Sequence, residues 1–125
     1  MVAIRGAITI AENTIDEIKS NSIFMMDEII KKNNLNIKDI SSIIFSCTDD
    51  IDKDYPGKFI REHFNINNAA IMHFNEMKVK NSSYLSKCIR VTVFYNESLD
   101  NIYHVYLKKA KDLRKDLCYN EQEHL

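Results

Sequence analysis

The sequence contains few of the residues that make tight turns and linkers. Its 125 residues include two glycines and one proline. So few turn residues leave no flexible linker, and the sequence shows no repeat and no low-complexity segment. A chain of this length fits one hydrophobic core rather than two. We therefore expect residues 1–125 to form a single domain.

Cysteines and long apolar runs are scarce as well. The three cysteines, Cys47, Cys88 and Cys118, form no Cys-x-x-Cys spacing, which argues against a disulfide framework and a zinc site. No apolar run approaches the length that crosses a bilayer, and the N-terminal residues lack the layout of a signal peptide. We therefore expect reduced thiols, a cytoplasmic location and no association with membranes.

Charge of one sign is not in excess. The chain has 17 Lys and Arg against 18 Asp and Glu, which gives a formal net charge of −1 at pH 7. This balance provides no electrostatic basis for binding nucleic acid or an anionic membrane. We therefore expect neither as a partner.

Motifs of covalent, metal and nucleotide chemistry are also absent. The sequence has no G-x-S-x-G, P-loop or H-E-x-x-H motif, and no ligand spacing relates His63, His73 and Glu76. We therefore predict no nucleophile, no metal and no cofactor.

One acidic segment invites comparison with a calcium loop. Asp50, Asp52 and Asp54 alternate as in the first half of such a loop. However, Tyr55 stands where the loop needs glycine, and Arg61 stands where it needs glutamate. We therefore interpret the segment as a solvated acidic loop.

Residues 86–95, SKCIRVTVFY, have the composition of a strand, because β-branched and aromatic residues dominate them. Side chains alternate across a strand. The predicted core face consists of Ile89, Val91, Val93 and Tyr95. The other face consists of Cys88, Arg90, Thr92 and Phe94. Arg90 is then either a solvated arginine on the exposed side of a sheet or a guanidinium placed to hold an anion.

Other apolar runs predict strands at residues 2–10, 42–47, 68–74 and 102–107. Gly6, in the middle of the first, predicts a bulge or a close approach of another backbone segment. Arg5 precedes it as a second cation within an apolar strand. Residues 108–117 are helical or irregular by their pattern, and residues 118–125 are expected to be a loosely held tail.

Two helices are predicted between these strands. Thr14 and Glu17 form a capping box at the start of a long helix, and Pro56 suits the first turn of a short one. The expected buried stripe of the long helix is Ile15, Ile18, Ser22, Met25 or Met26, and Ile29. The expected inner face of the short helix is Phe59, Ile60, His63 and Phe64. These elements predict the fold class α/β (α+β), a β-sheet packed with one long and one short helix.

Several short segments, taken together, resemble one known family. They are IRGA at 4–7, YPGKFIRE at 55–62, NEM at 75–77, KCIRV at 87–91 and HVYLKKA at 104–110, followed by Leu113-Arg114. In this order and at this spacing, the chain is similar to the AroH-type chorismate mutases along essentially its whole length.

The resemblance implies an assembly and a reaction. Members of this family are homotrimers in which mixed sheets form a pseudo-α/β-barrel, with active sites between neighbouring subunits. They convert chorismate to prephenate, an intramolecular Claisen rearrangement in the biosynthesis of phenylalanine and tyrosine. Such a rearrangement needs positioning and electrostatic stabilisation rather than a nucleophile, metal or cofactor. Chorismate is therefore the expected small-molecule partner.

The resemblance also implies site residues by position. The expected catalytic residues, which contact the substrate, are Arg5, Glu76, Arg90 and Tyr106. The expected pocket-lining stretch is Met72, His73, Phe74 and Asn75. Secondary substrate-binding positions are Tyr55, Gly57, Lys58, Arg61 and Leu113. The chain departs from the family at Met72 and His73, where threonine and cysteine are usual, and in a longer connection over residues 78–83.

Two other classes of function remain open from the sequence. A trimeric imine deaminase has a similar architecture and also binds carboxylates with arginine, and a non-catalytic trimer that binds a small carboxylate would keep the arginines. Glu76 together with Tyr106 in an arginine-lined cleft would favour the mutase.

Overall fold

The computed structural model describes residues 1–82 and 84–117, and in these residues a five-stranded sheet packs with two α-helices. The predicted tail at 118–125 lies outside the described residues. The strands are β1 (Val2–Thr9), β2 (Ile40–Cys47), β3 (Ala70–Asn75), β4 (Cys88–Tyr95) and β5 (Val105–Leu107). The helices are α1 (Ile15–Asn33) and α2 (Pro56–Phe64). Short 3₁₀ segments cover Ile37–Asp39, Lys108–Asp112 and Lys115–Leu117.

The sheet is mixed, with the strand order β3-β2-β4-β1-β5. The central strand β4 pairs antiparallel with both β1 and β2. The outer pairs, β1 with β5 and β2 with β3, are parallel. This arrangement confirms the predicted fold class.

Both helices pack on one face of the sheet, and the core lies between the helices and that face. Gly6 pairs with Val91, Val91 with Phe45, and Phe45 with His73, so these four residues form one row on that face. A Cβ atom on Gly6 would lie 2.7 Å from Ile29 Cδ1 of α1. Gly6 is therefore explained by close helix packing rather than by a bulge, since the pairing of β1 with β4 is continuous.

The start of α1 agrees in part with the predicted capping box. The Thr14 hydroxyl accepts a hydrogen bond from the Glu17 amide at 3.1 Å. The Glu17 carboxylate, however, accepts from the Ala11 amide at 3.0 Å, not from the cap residue itself. Glu17 therefore fixes the turn that precedes the helix as well as its first residues.

The predicted inner faces are correct except at two positions. In α1 the buried stripe includes Ile18, Ser22, Met25, Met26 and Ile29. Ile15, the first helical residue, is 52% exposed, because burial begins one turn later. In α2, Phe59 and Ile60 are buried, whereas His63 is exposed and contacts the edge of the Phe64 ring.

Candidate active site

A single row of paired residues places several predicted site residues on the sheet face opposite the helices. Phe74 of β3 pairs with Ser46, Ser46 pairs with Arg90, and Arg90 pairs with Ala7. Ala7 in turn pairs with Tyr106 of β5. Directly paired residues in a sheet project to the same side. The register therefore brings together side chains that lie up to 99 positions apart in the sequence, and it does so on five paired strands.

Arg90 and Glu76 meet on this face. Glu76 follows β3 directly, and its backbone N–H donates to the Cys47 carbonyl at 2.7 Å, which continues the pairing with β2. Its Oε1 accepts a hydrogen bond from the Ser46 hydroxyl at 3.0 Å and lies 3.6 Å from Arg90 Nη1. The side chains of Arg90 and Glu76 are 39% and 26% exposed. A cation and an anion are thus held close together and open to solvent.

A small cavity of about 190 Å³ adjoins this pair. The side chains around it are Thr48, Glu76, Met77, Ser82, Tyr84, Leu85, Cys88, Arg90 and Leu113. Tyr106 is 4% exposed and packs with Ala7, Cys88 and Ala110 next to the cavity, with Leu113 against this cluster. Leu113 therefore contributes to both the cavity and the packing that holds the Tyr106 ring.

Arg5 lies one row further along the same face. It pairs with Thr92 of β4, and its side chain is exposed. Its backbone N–H donates to Nδ1 of His104 at 2.9 Å. Partial burial lowers the pKa of His104, and the Arg5 and Arg114 guanidinium groups lower it further. The guanidinium groups of Arg5 and Arg114 thus create a positive field near His104.

Four of the remaining predicted residues line a second, larger cavity of about 390 Å³. Tyr55, His73, Phe74 and Asn75 are among its lining residues. Met72 and Phe74 are 54% and 50% exposed, and they project from the face that carries Arg90. The larger cavity is therefore lined by Tyr55, His73, Phe74 and Asn75, whereas Glu76, Arg90 and Leu113 line the smaller one.

His73 points away from Arg90, into the helix-covered face. Its ring stacks on Phe45 at 5.1 Å, and its Nε2 accepts a hydrogen bond from the Gly57 N–H at 2.9 Å. Burial lowers the pKa of His73, and the charge of Arg61 lowers it further. This histidine is therefore a neutral acceptor that caps an amide in the first turn of α2.

Lys58 and Arg61 lie on the exposed side of α2, as their spacing predicts. Lys58 forms an ion pair with Asp54 at 3.1 Å. Asp54 also accepts a hydrogen bond from the Tyr55 amide, and these two contacts, the amide first, hold the pKa of Asp54 below its usual value.

Comparisons with known proteins identify the family of this chain. The sequence model of the family described as "Chorismate mutase type I" matches residues 1–117. The chain belongs to this family. Its members are isomerases that convert chorismate to prephenate.

Individual relatives support the assignment. The chain is 34% identical to chorismate mutase AroH of Bacillus subtilis (strain 168) over 124 residues, which cover 98% of this chain and 96% of that protein. It is 29% identical to chorismate mutase AroH of Thermus thermophilus over 117 residues, covering 91% and 93%. Its fold matches a solved chorismate mutase from Clostridium thermocellum with a TM-score of 0.82 and 40% identity, covering 90% of this chain and 99% of that one.

For a chorismate mutase, the thiols near the site are poorly suited to covalent catalysis. Cys47 and Cys88 are free and buried. Burial is the main cause that raises the pKa of each thiol to about 12. Both are therefore protonated at neutral pH, when only the thiolate is a strong nucleophile.

The acidic segment is more structured than its composition indicates. Asp50 accepts hydrogen bonds from the Thr48 hydroxyl at 2.5 Å and from the Lys87 amide. Asp49 pairs with Lys78 at 2.9 Å and contacts the Tyr84 hydroxyl. The interpretation as a solvated loop is therefore wrong for Asp50, whose carboxylate anchors the connection before β4, whereas Asp49 is exposed as expected.

Ser46 is the site residue that the sequence analysis missed. A serine in a mostly apolar strand was the available signal, but its meaning depends on the pairing of β2 with β4, which the sequence does not reveal. Among residues 1–82 and 84–117, no group of three or more His, Cys, Asp or Glu side chains is arranged to hold a metal ion. In the same residues no helix is long and apolar enough to cross a membrane.

Proposed function

We propose that Arg5, Glu76, Arg90 and Tyr106 hold chorismate and stabilise the transition state of its rearrangement. The observation that carries the proposal is the Arg90–Glu76 pair on the sheet face opposite the helices, beside a cavity. Arg90 donates to the ether oxygen of chorismate, where negative charge grows as the C–O bond breaks. Such a donor acts most strongly in the transition state, so it accelerates the chemical step.

The other three residues position the substrate in this proposal. Glu76 accepts a hydrogen bond from the ring hydroxyl of chorismate. Arg5 and Tyr106 hold carboxylate groups, for which a guanidinium fork and a phenolic hydroxyl are suited. Holding the dianion in its compact form lowers the entropic part of the barrier.

We further propose that the complete site forms between subunits of a homotrimer, whose sheets build a pseudo-α/β-barrel. A cavity of about 190 Å³ beside Arg90 is smaller than the ~300 Å³ at which ligand pockets usually begin. The second group of predicted residues lies at α2 and β3, and four of its members, Tyr55, His73, Phe74 and Asn75, line a different cavity. The others in this group are Gly57, Lys58, Arg61 and Met72. A neighbouring subunit that brings its second group to the Arg90 cavity would complete the pocket.

The exposed apolar side chains support such an interface. Met72 and Phe74 lie on the same sheet face as Arg90, and both are at least half exposed. His73 faces the helices, so in this arrangement it contributes to the pocket through its backbone and through the position of α2.

The same proposal includes a cytoplasmic location and one domain over residues 1–125. The free thiols of Cys47 and Cys88 support the first. The single sheet and the family match over residues 1–117 support the second.

The test is the loss of chorismate absorbance in the ultraviolet, followed with purified wild-type protein, Glu76→Gln and Tyr106→Phe. Glu62→Gln, on the exposed surface of α2, is a matched control. We expect turnover by the wild-type protein and by the control, and slower turnover by the two site variants. Wild-type activity in Glu76→Gln would overturn the site assignment.

A further inference from the structure

Glu76 is fastened to β2 at two points. Its backbone N–H donates to the Cys47 carbonyl, and its carboxylate Oε1 accepts from the Ser46 hydroxyl. Ser46 precedes Cys47, so consecutive residues of one strand fix the main chain and the side chain of Glu76. The carboxylate is thereby held over a rigid strand rather than on a free loop.

Arg90 lies on the other side of Ser46. The two residues are directly paired across β2 and β4, and their side chains share a face. Arg90 Nη1 is 3.6 Å from Glu76 Oε1, the same oxygen that accepts from Ser46. A distance of 3.6 Å is too long for a hydrogen bond. Arginine and carboxylate groups that are free to approach usually close to about 2.7–2.9 Å, often through two parallel hydrogen bonds.

We propose that Ser46 is a positioning residue that keeps Glu76 from closing on Arg90. The Ser46 hydroxyl donates a hydrogen bond to Oε1 of Glu76, the carboxylate oxygen that faces the guanidinium. Arg90 therefore keeps its donors available for the ether oxygen of chorismate, and Glu76 keeps Oε2 available for the ring hydroxyl. This role rests on the substrate contacts proposed above for Glu76 and Arg90.

The role predicts a particular kinetic signature. Without the hydroxyl, the carboxylate moves onto Arg90, and chorismate must open a close ion pair in order to bind. That cost is the same in the bound substrate and in the transition state, so it raises KM and leaves kcat nearly unchanged. Hydrogen bonds to charged groups have net strengths that correspond to roughly ten- to hundred-fold. We expect KM to rise about tenfold.

The experiment compares Ser46→Ala, Ser46→Thr and Ser42→Ala. Ser42 is the control, since it is on the same strand and the same face, four residues away. We expect Ser46→Ala to raise KM about tenfold with kcat within about threefold of wild type. Ser46→Thr keeps the hydroxyl and should restore KM. Thermal unfolding of Ser46→Ala should not occur at a lower temperature than in wild type, because a closer ion pair replaces the lost hydrogen bond.

A second arm separates this inference from the site assignment. In the Glu76→Gln background there is no carboxylate to close on Arg90, so adding Ser46→Ala should change KM by less than about twofold. If Glu76→Gln is impaired but Ser46→Ala keeps the wild-type KM, the positioning role is wrong and the site assignment stands. If Ser46→Ala instead lowers kcat and the unfolding temperature together, the serine is merely structural. If Glu76→Gln itself has wild-type kinetics, the proposed site fails and the inference fails with it.

Discussion

Arg90 is the residue on which the proposed electrostatic mechanism depends most directly. Arg90 lies on a central strand that is paired on both sides, so the backbone that carries its guanidinium is fixed before substrate binds. Replacing a preorganised donor of this kind costs roughly 10²–10³-fold in kcat, or about 3–4 kcal/mol. We expect Arg90→Ala to lose at least that much, as measured by steady-state kinetics with chorismate.

A second variant, Arg90→Lys, separates the charge of the guanidinium from its planar geometry. Lysine keeps the charge but lacks the planar fork, so we expect it to remain severely impaired. An arginine that only holds a ground-state carboxylate would instead raise KM with kcat intact. A kcat within a few-fold of wild type in Arg90→Ala would end the electrostatic assignment.

His73 makes a prediction about stability and pH. Burial and Arg61 place its pKa in the folded protein below the ordinary 6.5. The unfolded chain therefore binds more protons near pH 6, and the free energy of unfolding falls as the pH falls from about 6.5 towards the folded pKa. Protonation would also put a cation against the Gly57 amide at the start of α2. His104, whose pKa is lowered as well, adds to the same trend.

Urea unfolding of wild type, His73→Gln and His63→Gln between pH 7.5 and 5 measures this effect. Glutamine at position 73 still offers an acceptor to the Gly57 amide but does not titrate. We therefore expect the free energy of unfolding of His73→Gln to fall less steeply than that of wild type as the pH is lowered. His63 is an exposed histidine on α2, and His63→Gln serves as the control. Its free energy of unfolding should change with pH as steeply as that of wild type. Equal slopes for wild type and His73→Gln would contradict the assignment.

At the scale of single residues, the sequence predicts the direction of a side chain only where one face of its strand is clearly apolar. Alternation in β4 correctly placed the Arg90 side chain on the face of the strand away from Val91 and Val93. The prediction works because one buried face fixes the register of a strand. It could not show that Ser46 faces Arg90. Nor could it show that His73 turns towards α2, because both depend on pairing between strands that are distant in sequence.

The contact between α2 and β3 makes a prediction at the scale of elements. A Cβ atom on Gly57 would lie 2.5 Å from Ile71 Cγ2 and 2.8 Å from His73 Nε2. The β-branched Ile71 and the stacked His73 ring have little freedom to move. Overpacking costs about 1–3 kcal/mol, whereas alanine gains at most ~1 kcal/mol over glycine in a helix.

We therefore expect Gly57→Ala to lower the free energy of unfolding by about 1–2 kcal/mol. This loss is expected even though alanine has a higher helix propensity than glycine. Chemical denaturation measures the change. Glu62→Ala on the exposed side of the same helix should stay within about 0.5 kcal/mol of wild type. A Gly57→Ala protein more stable than wild type would show that α2 can move away from β3 without cost.

Element types were more predictable from the sequence than element partners. The starts of both helices and the presence of all five strands were expected, because periodicity and caps are local signals. The strand β5 is only half as long as the apolar run over residues 102–107. Ile15 and His63 were placed on inner faces wrongly, since a helical period continues past the point where a helix meets the sheet. The acidic segment was taken as solvated because its partners, Lys78 and Lys87, lie beyond β3 in the chain.

At the scale of the whole molecule, the strand order is the feature that builds the site. In the sheet, β4 lies between β1 and β2. This position aligns Ser46, Arg90 and Ala7 in one row. No local pattern specifies which strands become neighbours. The family resemblance supplied the expectation of a mixed sheet and of the residues that meet on it.

The division of the site between two cavities leads to the last prediction. If one subunit supplies Arg90 and Glu76 and its neighbour supplies the residues around α2, an isolated subunit lacks half of each pocket. The solution mass should then be three times the chain mass of 14.6 kDa, by light scattering, and dilution that separates subunits should abolish activity. Mixing Arg90→Ala with Arg61→Ala subunits should restore part of the activity, because some sites in a mixed trimer carry neither change. An active monomer would rule out the shared cleft, since every contact that chorismate needs would then come from one chain.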